Sequence, residues 1–475
     1  MYKKYFLFLV IVILPMMIFC VDWYVDCDAT QTGNGSPALP FQTITEAIHE
    51  LDDGDTIIIA EGTYYETLDC SDNYFDMKGT YPTTTIIDGN DGANRYEGII
   101  MNDPDPEITG LSTFENLTIQ NCLATTNTDG GGLFVENRNV TLINCIVKDN
   151  TSAHGDGGGI YFIGDDNYAL TLESCTIKDN EAGANGGGLY FVGSYYDDLT
   201  ITDCTVSDNI CDGDGGGIYA EGDMGVPIEI DFEDLIICNN TSGYQSAGGG
   251  IYARCLRQQL GGKFENILLY ENFADAHGGA LMFVYAYSTI AGNFEVNRIT
   301  AADNQSDGGA YAGLYIINSA VSIYNSIVFD NEWIGHNSPV QISTGNTVEY
   351  CCVEDGYTGT GNISSDPQFR DPSSDDYRID WNSPCLDEGV PTEYDEDDTV
   401  ADMGYEPYLH DNWDFTNSQI GDVTVVWQGF PRLPVADGEN NGEYVEEREC
   451  WMFLLILIVL IEFKSGGKIL FNILI

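Results

Sequence analysis

Five aromatic residues stand at one position of a recurring pattern: Phe134, Tyr161, Tyr190, Tyr219 and Tyr252 each follow a glycine-rich run and one aliphatic residue. Sugars stack on aromatic faces, so such a row on one outer surface is a candidate glycan platform, and ring-on-ring packing is the structural alternative. A second row is acidic. Asp149, Asp179, Asp208, Glu271, Asp303 and Asp330 each stand directly before an asparagine. Carboxylates repeated at strand spacing repel one another, so they must stay hydrated, lean on Lys148 and Lys178, or hold cations such as calcium. Hydrated turn residues are the favoured reading. Asp212 and Asp214, set among glycines, add to the calcium expectation, although the nonapeptide repeat of calcium-binding solenoids is absent.

These rows exist because the chain repeats. The segments from Val140 to Asn150, Leu170 to Asn180 and Leu199 to Asn209 align without gaps, and each is followed by a glycine triplet and an aliphatic residue. An earlier copy holds Leu117, Ile119, Cys122 and Asn127; later copies reach Asn331. Apolar positions alternate and then change phase within each copy, as at Leu170, Leu172, Cys175, Ile177, Leu189 and Phe191. That pattern predicts three short strands per repeat. A strand of this length cannot bury its face alone, so the repeats must stack strand on equivalent strand into a parallel β-helix solenoid. Cys122, Cys145, Cys175 and Cys204 then form one rung position of small buried side chains, and Asn127, Asn150, Asn180 and Asn209 form a ladder at the turn that follows. Glycine triplets supply the unusual backbone angles of the next corner.

The paired [IV]xxN and GG[GA][IL] units resemble the FxxN and GGA[ILV] repeats of the chlamydial-type polymorphic outer-membrane proteins, within the right-handed parallel β-helix, pectin-lyase-like class. Val147, Ile177, Val206 and Ile237 stand where that family has Phe. The segment from Pro40 to Ile48, followed by Gly54 to Ile59, is similar to the start of many exported β-helix proteins. Thr43 and Glu46 form a capping box, and Phe41, Ile44, Ala47, Ile48 and Leu51 make one apolar helix face able to plug the first coil. Ser383 to Gly404 looks like the end of such helices and is expected to close the other mouth. The resemblance implies surface exposure and adhesion. The chain after 331 is too short for an autotransporter barrel, so passage through an outer membrane would need another machine.

Enzymes are common on this fold, which makes a polysaccharide lyase or glycoside hydrolase the alternative function. A lyase wants an acidic cluster beside an Arg or Lys base, and a hydrolase wants close carboxylates. Arg95, Arg138, Arg254, Arg257 and Arg298 show no such neighbourhood, and the clusters Asp103 with Asp105 and Asp395 to Asp398 have no evident partner. His154 and His277 fall at a glycine-rich corner and read as turn residues. No catalytic residue is assigned, and the reading leans away from an enzyme.

Asp and Glu outnumber Lys and Arg by 76 to 17, and the resulting charge of −59 repels phosphate backbones and excludes nucleic acid as a partner. Lys3 and Lys4 precede an apolar run from Tyr5 to Phe19, the layout of a secretory signal peptide. Bulky Ile18 and Phe19 argue against lipidation of Cys20. Export makes disulfides possible among Cys27, Cys70, Cys351, Cys352 and Cys385, with the pairing open. The expected organisation is a signal peptide (1–20), an N-terminal cap (21–53), the parallel β-helix (54–366), a C-terminal closing segment (367–410), an acidic linker or partial extra domain (411–450) and an apolar tail (451–475). The apolar run Trp451 to Ile461 is too short to cross a bilayer as a helix. Membrane association would come only through that tail or the export machinery. The whole reads as an all-β, secreted or cell-surface protein with a structural, adhesive or glycan-binding role, whose partner is an extracellular polysaccharide or another cell surface.

Overall fold

The computed structural model describes residues 20–408 apart from 91, 93–96, 103–108, 126–128, 195, 223–227, 255–256, 259–262, 285–286, 289–293, 310, 319–320 and 337–339. The expectations for the leader, for Arg95, Asp103, Asp105 and Asn127, for the side chain of Arg257, and for the stretch after 408 lie outside the described residues.

Within these bounds the chain is an all-β parallel solenoid of about nine turns. One coil shows how it is built. Ala169–Glu173 and Thr176–Lys178 lie on one wall, Glu181–Ala182 on a second and Leu189–Gly193 on a third. Where three short strands were expected, this coil has four segments shared among three sheets. The first wall bends at Ser174, whose φ of 53° is left-handed, and turns again at Asp179, with φ 54°. Leu170, Leu172, Cys175, Ile177, Leu189 and Phe191 point inward and are almost fully buried, while the residues between them face out. Each strand pairs in parallel with its counterpart one coil on: Leu170 with Leu199, Ile177 with Val206, Leu189 with Ile218. Like residues therefore stack at ~4.8 Å along the axis.

One column holds the register. Asn150, Asn180, Asn209, Asn240, Asn272, Asn304 and Asn331 are all buried, and each Oδ1 from Asn180 onward accepts both the backbone N–H and the side-chain amide of the preceding member. Each Nδ2 also donates to a carbonyl of the coil before it, as Asn180 does to Val147 at 3.0 Å. A buried amide is thereby satisfied on both its oxygen and its nitrogen. The glycine triplets follow from this column, because a Cβ on Gly159 would lie 2.9 Å from Asn180 Nδ2 and 2.6 Å from Gly188 O. The first glycine of each triplet is left-handed, with φ of 65° at Gly157 and 66° at Gly186.

The thiol row needs one correction. Cys145, Cys175 and Cys204 share a rung position as expected, and Leu235 and Ile267 continue it. Cys122 does not belong to it. The pairing of Val147 with Ile119 puts Leu117 on the rung of Cys145 and sets Cys122 opposite Asn150, whose Oδ1 accepts the Cys122 N–H at 3.0 Å. Cys122 thus begins the asparagine column, and the left-handed Asn121 before it matches Asp149 before Asn150. The three stacked cysteines are thiols, and their sulfurs donate to carbonyls at 3.2–3.4 Å.

Two segments outside the coils complete the core. The helix Ile44–Ile48 carries the Thr43/Glu46 capping box, buries Ile44 and Ala47, and receives Glu66 at its first N–H groups at 2.8 and 2.9 Å. It packs on the strands Asp22–Val25, Thr56–Ile59 and Leu68–Asp69. The segment after 366, expected at the far mouth, instead runs back along the outside of the first wall. Gly404 N–H donates to Asn325 O, Tyr405 N–H to Thr300 Oγ1 and Glu406 N–H to Asn266 Oδ1, so it crosses three successive coils. The outer face explains this course: Lys148, Lys178 and Ser207 give way along one column to Cys238, Tyr270, Ala302 and Phe329, an apolar strip that needs a cover.

Asn180→Ala deletes four side-chain hydrogen bonds and strands the buried donors of Asn150, so an unfolding free energy lower by about 3 kcal/mol or more is expected in chemical denaturation. The closing segment is pH-sensitive. Burial pushes the Asp402 carboxyl up to about 8, opposed by the N–H groups of Asp387 and Tyr408 and reinforced by the charges of Asp395 and Asp387. A carboxyl raised on folding contributes stability that is full below its unfolded value near 3.8 and lost as pH climbs through about 8. Thermal midpoints should fall between pH 6 and pH 9, and Asp402→Asn, although less stable at pH 6, should show a flatter fall.

Candidate functional site

The acidic row is first of all a backbone requirement. Asp149, Asp179, Asp208, Asn239, Glu271, Asp303 and Asp330 occupy one register position and all have φ between 52° and 57°. Asn and Asp tolerate this left-handed conformation best among residues with a side chain. The first half of the row is solvated, and Lys148 and Lys178 lie 3.4 and 3.2 Å from Asp149 and Asp179. Asp214 ties its coil to the next, since burial raises its carboxyl while its Oδ1 accepts the Ala247 N–H at 2.7 Å. Asp129 and Asp156 make the same bond to Asp156 and Asn185. Asp212 is exposed. Among the described residues no three His, Cys, Asp or Glu side chains converge to hold a metal ion.

The second half of the row is different because the closing segment passes beside it. An antiparallel pair, Phe369–Asp371 with Asp376–Ile379, stands against the coils and encloses a cleft of about 510 Å³. Its floor is Asn239, Glu271, Asp303 and Asp330 with Gln305 and Glu332 of the neighbouring short sheet; its wall is Pro372, Ser373 and Tyr377. Tyr377 is 2% exposed, packs against Tyr270 at 5.0 Å and Phe369 at 5.4 Å, and donates its hydroxyl to Asp303 Oδ2 at 2.7 Å. Partial burial, then the charges of Asp375 and Asp303, raise the Glu271 carboxyl; partial burial, then Asp303 and Asp366, raise that of Asp330. The groove therefore offers a line of carboxyl and amide acceptors at one-rung intervals, and none of its lining residues is basic.

The aromatic row stacks on itself. Successive ring centroids from Phe134 to Tyr252 lie 5.1, 5.2, 4.9 and 5.1 Å apart, with planes inclined by 5° to 12°. Each interior ring has a neighbour over both faces, so what the row presents outward is a line of ring edges and hydroxyls rather than open faces for a sugar to stack on. Tyr219 and Tyr252 are buried, and Tyr219 donates to Glu221. His277 continues the corner, 4.5 Å from the Tyr315 ring, and burial lowers its pKa. His154 is at a different register, three residues before its glycine run rather than one. Arg138 is buried and donates to Ser71 O and Asn73 O, and Arg298 pairs with Asp395 at 3.2 Å; neither lines the groove.

Sequence reasoning named Glu271, Asp303 and Asp330 but missed Tyr377, Gln305 and Glu332. The signal that existed was the change of the outer column from Lys148, Lys178 and Ser207 to Cys238, Tyr270 and Ala302, which marks where the wall is covered.

Residues 69–232 match a family model described as a right handed beta helix region. No curated protein matches the chain. Among solved structures it is similar to a pectate lyase, Pel9A, with TM-score 0.44 and 13% identity over 82% of this chain and 96% of that one. It is also similar to XylC in a complex with xylose, with TM-score 0.41 and 10% identity over 73% and 87% of the two chains. A rhamnogalacturonan lyase gives TM-score 0.29 and 11% identity over 81% and 95%. The match and the unbroken parallel register make residues 69–232 a right-handed parallel β-helix region, and the same stacking continues past them to Val353.

Proposed function

We propose that this chain is an exported or cell-surface β-helix that binds an extracellular glycan in the groove beside Tyr377. The observation that carries the reading is the alignment of Glu271, Asp303 and Asp330 at one-rung intervals opposite a wall that holds Tyr377 and Ser373. A polymer of hydroxylated units meets such a row with repeated, individually weak hydrogen bonds that add through avidity. The groove has no base among its lining residues and the chain carries 59 net negative charges, which favours a neutral or cationic glycan over a polyuronate. The apolar leader supports export, and the stiff stack of coils supports a structural or adhesive role at a surface.

Cleavage is the second reading, and the raised carboxyls favour it. Glu271 and Asp330 are two rungs apart, ~9.6 Å, and each is one rung from Asp303. Hydrolases that invert use carboxyls ~6.5–9.5 Å apart, and those that retain use ~5–5.5 Å.

Binding to an immobilised panel of neutral, cationic and acidic polysaccharides distinguishes these. Neutral or cationic glycans should be retained, and a variant with Asp303→Asn, Gln305→Ala and Tyr377→Phe should bind at least ~10-fold more weakly. No retention of any glycan by the wild type contradicts the binding reading. New reducing ends that vanish in both Asp303→Asn and Asp330→Asn would establish the hydrolase.

A further inference from the structure

The closing segment and the last coil meet through two cysteines. Cys351 and Cys352 are consecutive residues at the start of the strand Cys352–Val353, and they bury their side chains in different clusters. The Cys351 thiol lies in the main core and donates to Glu349 O at 3.2 Å. Cys352 pairs in register with Ile327 and joins Cys385, Leu386 and Met403 in a separate apolar cluster beneath the closing segment. Cys352 and Cys385 are both 0% exposed inside this one small cluster, where the Cys352 thiol donates to Ser365 O at 3.1 Å and is also in contact with Cys385. That contact and burial push the Cys385 thiol well above its ordinary range, which keeps it unreactive in the folded, reduced chain. The stacked thiols of Cys145, Cys175 and Cys204 belong to a different setting, inside the coils and turned toward backbone carbonyls.

We propose that Cys352 and Cys385 form a disulfide that staples the closing segment to the last coil and so fixes the wall that carries Tyr377. The bond forms by exchange with an external disulfide such as oxidised glutathione. One thiolate attacks that disulfide and releases a first reduced thiol; the second cysteine then attacks the mixed disulfide and releases another. The two cysteines lose two protons and two electrons, and the external disulfide takes both electrons. Because neither sulfur is accessible once the segment is docked, exchange precedes closure and belongs to folding. Cross-linking across the 352–385 loop restricts the unfolded chain. The inference is independent of which ligand the groove holds.

Full-length protein refolded in a glutathione redox buffer, alkylated without reduction and digested, should yield one linked peptide containing Cys352 and Cys385 by mass spectrometry. Dithiothreitol should lower its thermal midpoint by about 5 °C. The double variant C352S/C385S should melt near the reduced wild type and ignore the reductant. Recovery of both cysteines as alkylated thiols from the refolded wild type, or of either in a different pairing, overturns the proposal. Peptide mapping of the wild type decides the matter even if the variant fails to fold.

Discussion

The asparagine column is the constraint on which the rest of the molecule depends. Parallel stacking alone would allow neighbouring coils to slip, because hydrophobic contact is not directional. A buried amide cannot slip without leaving polar groups unpaired in a dry interior, at a cost of ~1–3 kcal/mol for each. With the run from Asn150 to Asn331 locked, every other column is locked too: the thiols of Cys145, Cys175 and Cys204, the rings from Phe134 to Tyr252 and the acids from Asp149 to Asp330. The third glycine of each triplet is small because the chain passes directly over this column.

From that lock the surface chemistry follows. A coil must turn sharply just before each asparagine, the turn is left-handed, and Asp or Asn is the cheapest residue with a side chain able to make it. A row of carboxylates is thus produced by folding before any ligand is considered. Over the first coils the row is merely solvated and balanced by Lys148 and Lys178. Over the later coils the outer face turns apolar, the closing segment docks on it, and the same acids become the floor of a groove with partly desolvated carboxyls. Function, in this view, is assembled from a structural repeat by covering part of it.

Much of this was legible from spacing. The gapless repeats of Val140 to Asn209 specify strand, turn and glycine corner, and the phase change within each copy reports which side chains face inward. Cys122 was misplaced because one conspicuous residue type outweighed the pattern around it; Leu117 and Asn121 carry the correct register. The ring row was located correctly, but sequence does not say whether rings at strand spacing lie flat on one another or face solvent. The return path of the closing segment was missed because it depends on contacts such as Tyr405 with Thr300 and Glu406 with Asn266, more than a hundred residues apart, which no local pattern encodes.

The central claim is that the coils stack in one register along one axis, and a pair of spin labels measures that directly. Thr113 and Glu295 face outward on the same column, linked through Thr141, Thr171, Thr200, Asp231 and Lys263, which places them six rungs apart. Labels attached there through bioorthogonal side chains, leaving the cysteines untouched, should give a single narrow pulsed dipolar distance centred at ~29 Å between their backbone positions. A broad distribution, or a maximum displaced by more than two rungs, would contradict the account.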